Sequence, residues 1–137
     1  MQDQFERNRA VIQEFRQNAG KVGGRFAGAK VLLLTTTGAK TGMQRTTPLQ
    51  YLPGGNRYVI FASKGGAPNN PGWYHNLMAN PKTTIEVGTE SIPVKAVVVK
   101  GAERDRLYAA QTKLFPNFGE YETRTTRKIP VIALERV

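Results

Sequence analysis

Val31, Leu32, Leu33 and Leu34 form a continuous apolar run, which predicts a strand at about residues 30–36 buried on both faces. A second strand is expected at about 44–52. A third is expected at 57–63, where RYVIFAS is rich in β-branched and aromatic types. Residues 82–87 and 90–100 predict two more strands across a Gly88 turn, and residues 129–135 (IPVIALE) predict a last one. Pro93 marks an edge or a bulge in its strand, because proline has no N–H for a ladder. The first three strands are joined by short turns, one between Gly38 and Gly42 and one at Pro53-Gly54-Gly55-Asn56. That spacing argues for an antiparallel meander.

Helical periodicity appears in three places. In residues 3–19, Phe5, Ile12, Phe15 and Ala19 share one face, with Asp3 available as a cap. This amphipathic segment reads as a helix docked on the core, with a lid or a weak peripheral membrane anchor as the sharper readings. Trp73 to Ala79 reads as a short helix stopped by Asn80-Pro81. Residues 103–114 read as a helix with Leu107, Ala110 and Leu114 inward, and Phe115, Phe118 and Tyr121 follow at i, i+3, i+6. Residues 20–29 and 64–72 are glycine- and proline-rich loops. About six strands and peripheral helices fit a small, partly open antiparallel barrel.

Composition narrows the function. The chain has 137 residues, no Cys and one His, His75, so disulfides, thiolate metal sites and a His-rich metal centre are excluded. No membrane-spanning run or signal-peptide core is visible, so a cytoplasmic protein is expected. The net charge is +10 and unevenly placed. Residues 15–85 hold nine Lys/Arg and no Asp or Glu, where about five acids are expected at the chain's average frequency. Such a field attracts anions: nucleic acid, an anionic membrane or a polyanionic cofactor.

The stretch VLLLTTTGAKTGMQRTTP (31–48) concentrates that chemistry. A glycine-punctuated turn lets backbone N–H groups converge on an anion, and Lys40 and Arg45 add charge and forked hydrogen bonds. A hairpin with a solvated basic tip fits the same residues. Neither a Walker A spacing nor a G-x-G-x-x-G after a strand is present.

The segments EFRQNAGKVGG (14–24), LLLTTTGAKTG (32–42), RTTPL (45–49), ASKGGAPNNPGWYHNLMANP (62–81) and RKIPV (127–131) together resemble the deazaflavin-dependent nitroreductase family, actinobacterial split-barrel proteins that use coenzyme F420. The resemblance covers nearly the whole chain. It implies an α+β fold: a single split β-barrel domain over 1–137, about six mainly antiparallel strands, and three or four peripheral helices, with residues 1–20 as the N-terminal one. The implied cofactor is a deazaflavin joined through a phosphodiester to an oligoglutamate tail, which accounts for the acid-free span better than nucleic acid does. By the same resemblance Ala39, Lys40 and Thr41 lie by the phosphate, and Arg45, Thr46, Thr47 and Pro48 continue along the cofactor. Phe61, Ala62, Ser63 and Lys64 contact ring and linker. Gly72, Trp73, Tyr74, His75 and Asn76 open the short helix, and Trp73 walls the cleft. The implied reaction is hydride transfer to a hydrophobic, electron-poor acceptor: enones, coumarin lactones, quinones or nitroaromatics. Ser63 and Tyr121 are the candidate catalytic residues.

The chain departs from the family at one place. The nitroimidazole-activating member carries three tyrosines in its substrate lid, where this chain has Phe115, Phe118 and Tyr121. Phenylalanine donates no hydrogen bond, so the implied acceptors are flat and apolar. Three rivals stand beside this reading: an FMN-binding split barrel, an F420 carrier, and a single-stranded nucleic-acid-binding barrel. Monomer and dimer are both open.

Overall fold

A computed structural model describes residues 4–137, without the side chains of residues 4–6 and Arg25. The proposed Asp3 cap and the Phe5 side chain lie outside the described residues. Four helices are described: α1 (Gln4–Gln17), α2 (Gly72–Ala79), α3 (Gly101–Leu114) and α4 (Asn117–Thr123). Seven strands are described: β1 (Val31–Thr37), β2 (Gln44–Gln50), β3 (Leu52–Gly54), β4 (Arg57–Phe61), β5 (Lys82–Val87), β6 (Glu90–Val99) and β7 (Val131–Arg136). They form one antiparallel sheet in the order β2-β1-β5-β6-β7-β4-β3.

This order corrects the expected meander. The segment read as one strand over 44–52 breaks at Tyr51, whose N–H makes the last bond along β1, to the carbonyl of Lys30 (2.9 Å), before the chain crosses to the other edge. Gln50 ends one edge of the sheet and Leu52 begins the opposite edge. Consecutive Cα atoms are about 3.8 Å apart, so the sheet must curl until its two edges meet at Tyr51. The result is a half-barrel of seven strands, not six, closed there by the chain itself.

Alternation along the strands sorts the core into layers. Leu32, Leu34, Ile60, Ile132 and Leu134 point into the barrel with Ile85 and Val94. Their neighbours Val59, Phe61, Val131 and Ala133 point outward and are covered by Leu107 and Tyr108 of α3 and Phe118 of α4. Val31 and Leu33 also point outward, beneath Phe15 of α1. Strands buried on both faces need unbroken apolar sequence, which is why β1 reads VLLL and β7 reads VIAL.

The N-terminal helix is thus docked. Phe15 is 1 % exposed, and Arg16 grips Glu86 at the β5–β6 end with Nε–Oε1 3.1 Å and Nη2–Oε2 2.8 Å. No described helix is long and apolar enough to cross a membrane.

Two of the three strand prolines obey the edge rule. Pro48 and Pro53 lie in β2 and β3, the two edge strands. Pro93 lies inside the sheet on β6, just before the β6–β7 ladder begins at Val94 and Arg136. Its carbonyl accepts from the N–H of Val137 (3.2 Å), so its missing N–H also faces the end of β7, where little ladder remains.

Candidate functional site

Most of the residues singled out in the sequence gather at one end of the half-barrel. β1 and β2 meet there in the turn 38–43, β4 ends there at Phe61, and α2 follows the loop 62–71. Trp73 and Leu77 of α2 insert among Leu32, Leu34 and Ala62, plugging the barrel interior. Trp73 is 9 % exposed, a core placement in place of the open cleft wall expected of it.

The 38–43 turn is built differently from the expectation of converging free amides. The Gly38 N–H donates to Met43 O (2.8 Å) and the Gly42 N–H to Gly38 O (2.9 Å). The Met43 N–H donates to Thr41 Oγ1 (3.2 Å) and the Ala39 N–H to Asn76 Oδ1 (3.1 Å). Four amides of the turn are therefore committed to the protein, because a tight hairpin tip satisfies its own donors first. Charge at this tip comes from side chains. Lys40 is exposed, and among the described residues no ion pair engages it.

Asn76 is a brace between elements. Its Oδ1 holds Ala39, and its Nδ2 donates to Thr36 Oγ1 (3.2 Å), so one side chain of α2 fixes both the turn and the end of β1. Tyr74 and His75 stack edge-to-face on the same helix with ring centroids 5.5 Å apart, His75 exposed beside exposed Gly72. On β2, alternation divides the four proposed contacts. Arg45 pairs with Thr36 and Thr47 with Leu34, whereas Thr46 pairs with Thr35 and Pro48 with Leu33 on the other face. Thr46 Oγ1 meets Thr35 Oγ1 at 3.0 Å. Arg45 and Thr47 thus share the α2 side, and Thr46 and Pro48 do not.

The second half of the site is the loop after β4. Lys64 (φ 47°), Gly65 (φ 62°) and Gly66 (φ 83°) are three successive left-handed residues. A β-carbon on Gly66 would lie 2.8 Å from Tyr121 O and 2.9 Å from Arg124 Cβ, so the loop packs backbone-to-backbone on α4. Phe61 meets Phe118 edge-on (5.8 Å), and Phe118 meets Tyr121 (5.2 Å). Phe118 is 7 % exposed, while Phe115 and Tyr121 are half-buried at the border of the same cluster. The Tyr121 oxygen accepts from Asn117 Nδ2 (2.7 Å) and keeps its own proton to donate. Ser63 is half-buried, and among the described residues no hydrogen bond engages its hydroxyl. The Lys64 ammonium donates to Asn69 Oδ1 (3.2 Å) and pairs with no described carboxylate.

Sequence reading missed the residue beneath this loop. Arg127 donates to the carbonyls of Ala62 (3.1 Å), Ser63 (2.7 Å) and Ala67 (2.9 Å) and to Asn70 Oδ1 (2.8 Å). Burial lowers its pKa from the usual arginine value. The only signal was its place in the RKIPV segment. Nearby, burial and then the Glu122 charge push the Tyr108 phenol up to about 12; its O–H donates to Phe118 O (2.7 Å).

The acids of α3 and α4 are matched by their own cations: Glu103 by Arg57 and Arg106, Glu122 by Arg104, Glu120 by Arg124. Carboxylates therefore do not cancel Lys40 or Lys64. The rim fits an anionic cofactor: two uncompensated ammonium groups, an unengaged serine, and open space at Gly65. It is a shelf of exposed side chains. A cavity of about 390 Å³ lies at the other end of β1, between Lys21, Lys30, Val31, Tyr51 and Gly88, and shares no residue with this shelf.

Fold and rim together describe a split-barrel protein with a rim suited to an anionic ligand. A model of the F420H(2)-dependent quinone reductase family matches residues 7–136, and the chain belongs to that family. It is an oxidoreductase whose cofactor is coenzyme F420. Over 126 residues it is 46 % identical to the F420H(2)-dependent quinone reductase Rv1261c of Mycobacterium tuberculosis H37Rv, covering 89 % of this chain and 85 % of the relative. A solved structure described as the F420-H2 dependent reductase FDR-A is 37 % identical with a TM-score of 0.71, covering 84 % of this chain and 98 % of that one. Another, described as a domain-swapped dimer, is 34 % identical with a TM-score of 0.72 and 95 % coverage of each chain.

Proposed function

We propose that this chain reduces quinones and related flat, apolar acceptors with F420H2, holding the cofactor between the Lys40 turn and the Ser63–Lys64 loop. The observation that carries this reading is the pair of lysines without carboxylate partners on two segments locked to one barrel end, one by Asn76 and one by Arg127.

Ala39, Lys40 and Thr41 bind the phosphate side, with Lys40 as a point charge. Arg45, Thr46, Thr47 and Pro48 border the cofactor along the edge strand β2, with Arg45 and Thr47 on the α2 side. Ala62 and Trp73 are buried beneath the shelf on the barrel side, and Phe61 is buried on the α3–α4 side. Ser63, Lys64, Gly72, Tyr74, His75 and Asn76 supply the polar rim. Bound F420H2 supplies a hydride to an electron-poor acceptor. Phe115, Phe118 and Tyr121 shape the apolar side on which the acceptor lies, positioning it and excluding water. Ser63 orients the cofactor through its hydroxyl, and Tyr121 holds a proton for the reduced product. With one tyrosine where the nitroimidazole-activating relatives have three, quinones and enones are favoured over nitroaromatics, and coumarin lactones fall within the same flat, apolar class.

Parallel titrations with oxidised F420, FMN and single-stranded DNA test the cofactor side, and quinone, enone and nitroimidazole turnover tests the acceptor side. F420 should bind more tightly than FMN, and Lys40→Ala should weaken it by about 1–3 kcal/mol. Tight FMN binding without F420 binding would overturn the proposal. Sedimentation of the same samples decides between monomer and dimer, given the relative described as a domain-swapped dimer.

A further inference from the structure

The 62–70 loop makes an unusual demand on the backbone. Lys64 carries a β-carbon yet sits at φ 47°, followed by two more left-handed residues. A non-glycine residue in that region is strained and persists only where its surroundings over-determine it. Local sequence does not supply that constraint, since Gly65 and Gly66 are the most permissive residues available.

Arg127 does supply it. It lies more than sixty residues away, in the segment leading into β7. Its Nη1 bridges Ala62 O and Asn70 Oδ1, its Nη2 takes Ser63 O, and its Nε takes Ala67 O. The four acceptors bracket the left-handed turn at both ends. Ser63 O also receives the Gly66 N–H (2.9 Å), and the Ala62 N–H donates to Pro130 O (3.0 Å), tying the same corner to β7. A planar guanidinium spans these acceptors at once; an ammonium places all its donors on one atom and cannot.

We propose that Arg127 is the positioning residue of the cofactor shelf. It fixes Ser63 and Lys64 in the left-handed turn that presents them to the anionic cofactor, without touching the cofactor itself. This rests on the reading of Ser63 and Lys64 as cofactor contacts. Loss of the fork should therefore weaken cofactor binding most, slow the chemical step by less through the misplaced Ser63, and leave the acceptor side near normal.

The test compares Arg127→Lys, Arg127→Ala and Lys64→Ala with the parent. Three readouts are needed: backbone hydrogen exchange, the dissociation constant of oxidised F420, and steady-state constants for F420H2 and a quinone. In Arg127→Lys, exchange should accelerate within residues 63–70 and not in β1 or β7. The dissociation constant and KM for F420H2 should each rise about tenfold, with kcat falling by less than that and the quinone KM within about twofold. A general loss of packing would not produce that split. Should Arg127→Ala not fold, the lysine variant carries the test. Unchanged exchange in the loop overturns the proposal whatever binds there. A loosened loop with weakened F420 binding in Lys64→Ala but not in Arg127→Lys also overturns it, while sparing the shelf. If neither variant alters F420 binding although the loop loosens, the assignment of the loop to the cofactor fails and takes the inference with it.

Discussion

Asn76 offers the sharpest separation of geometry from charge at the Lys40 turn. Substituting Asn76→Asp keeps the shape: one carboxylate oxygen still accepts from Ala39 N–H, and the Thr36 hydroxyl turns to donate to the other. The fold should survive with little change in stability. What the variant adds is a negative charge beside the proposed phosphate site. The carboxylate oxygen would lie 3.1 Å from Ala39 N, and an anion held beside this turn is taken to lie about two backbone steps, on the order of 7 Å, from it. At an effective dielectric constant of about 40, Coulomb's law gives about 1.2 kcal/mol of repulsion, roughly sevenfold in the dissociation constant. Asn76→Ala instead removes both bonds and leaves the buried Thr36 hydroxyl without its donor. It should cost about 1–3 kcal/mol of stability. The assay is F420 titration of all three proteins in dilute and concentrated salt. Between 0.01 M and 1 M salt the Debye length shrinks from about 30 Å to about 3 Å. The Asn76→Asp penalty relative to the parent should therefore fall below about twofold, and the Asn76→Ala penalty should persist. Parent-like F420 affinity for Asn76→Asp in dilute salt would refute an anion beside this turn. An unchanged melting curve for Asn76→Ala would refute the brace.

Phe15→Ala empties the contact between α1 and the outer face of β1 and should cost about 3–5 kcal/mol in urea denaturation; a loss below about 1 kcal/mol would mean that α1 is not docked in solution and would favour a lid. Tyr108 titrates near 10 unfolded and near 12 folded. Its contribution to stability is therefore whole below pH 10 and lost as pH rises toward 12. Tyr108→Phe should be less stable at neutral pH by about 1 kcal/mol, yet lack that alkaline loss; parallel urea midpoints across the window would refute the shift. Tyr121→Phe should lower kcat for quinones about tenfold, about 1.4 kcal/mol, with the F420H2 KM unchanged; an unaltered kcat would assign the proton to solvent.

The sequence by itself determined what acts over a few residues. Apolar runs and their periods located β1, β5, β6, β7 and the helices α1, α2 and α3, because local alternation and 3.6-residue spacing set which faces can be buried. The acid-free span fixed the sign of the ligand, since formal charge does not depend on folding. Other features required the tertiary structure. The pairing of β7 with β4 and β6 joins residues far apart in the chain, and no local pattern states the partner. The break at Tyr51 became legible only when the curled sheet placed β2 and β3 on opposite edges. α4 was only partly legible: Phe115, Phe118 and Tyr121 carried a helical spacing, but its seven residues are too few to bound a helix by period alone. The site divides the same way: Lys40, Ser63 and Lys64 stood out by type and setting, but what holds them did not. Asn76 reaches back thirty-seven residues to Ala39, and Arg127 reaches back more than sixty to Ser63. Buried carbonyls and amides must be paired by whatever group the fold brings within about 3 Å, and the identity of that group is a property of the packed structure.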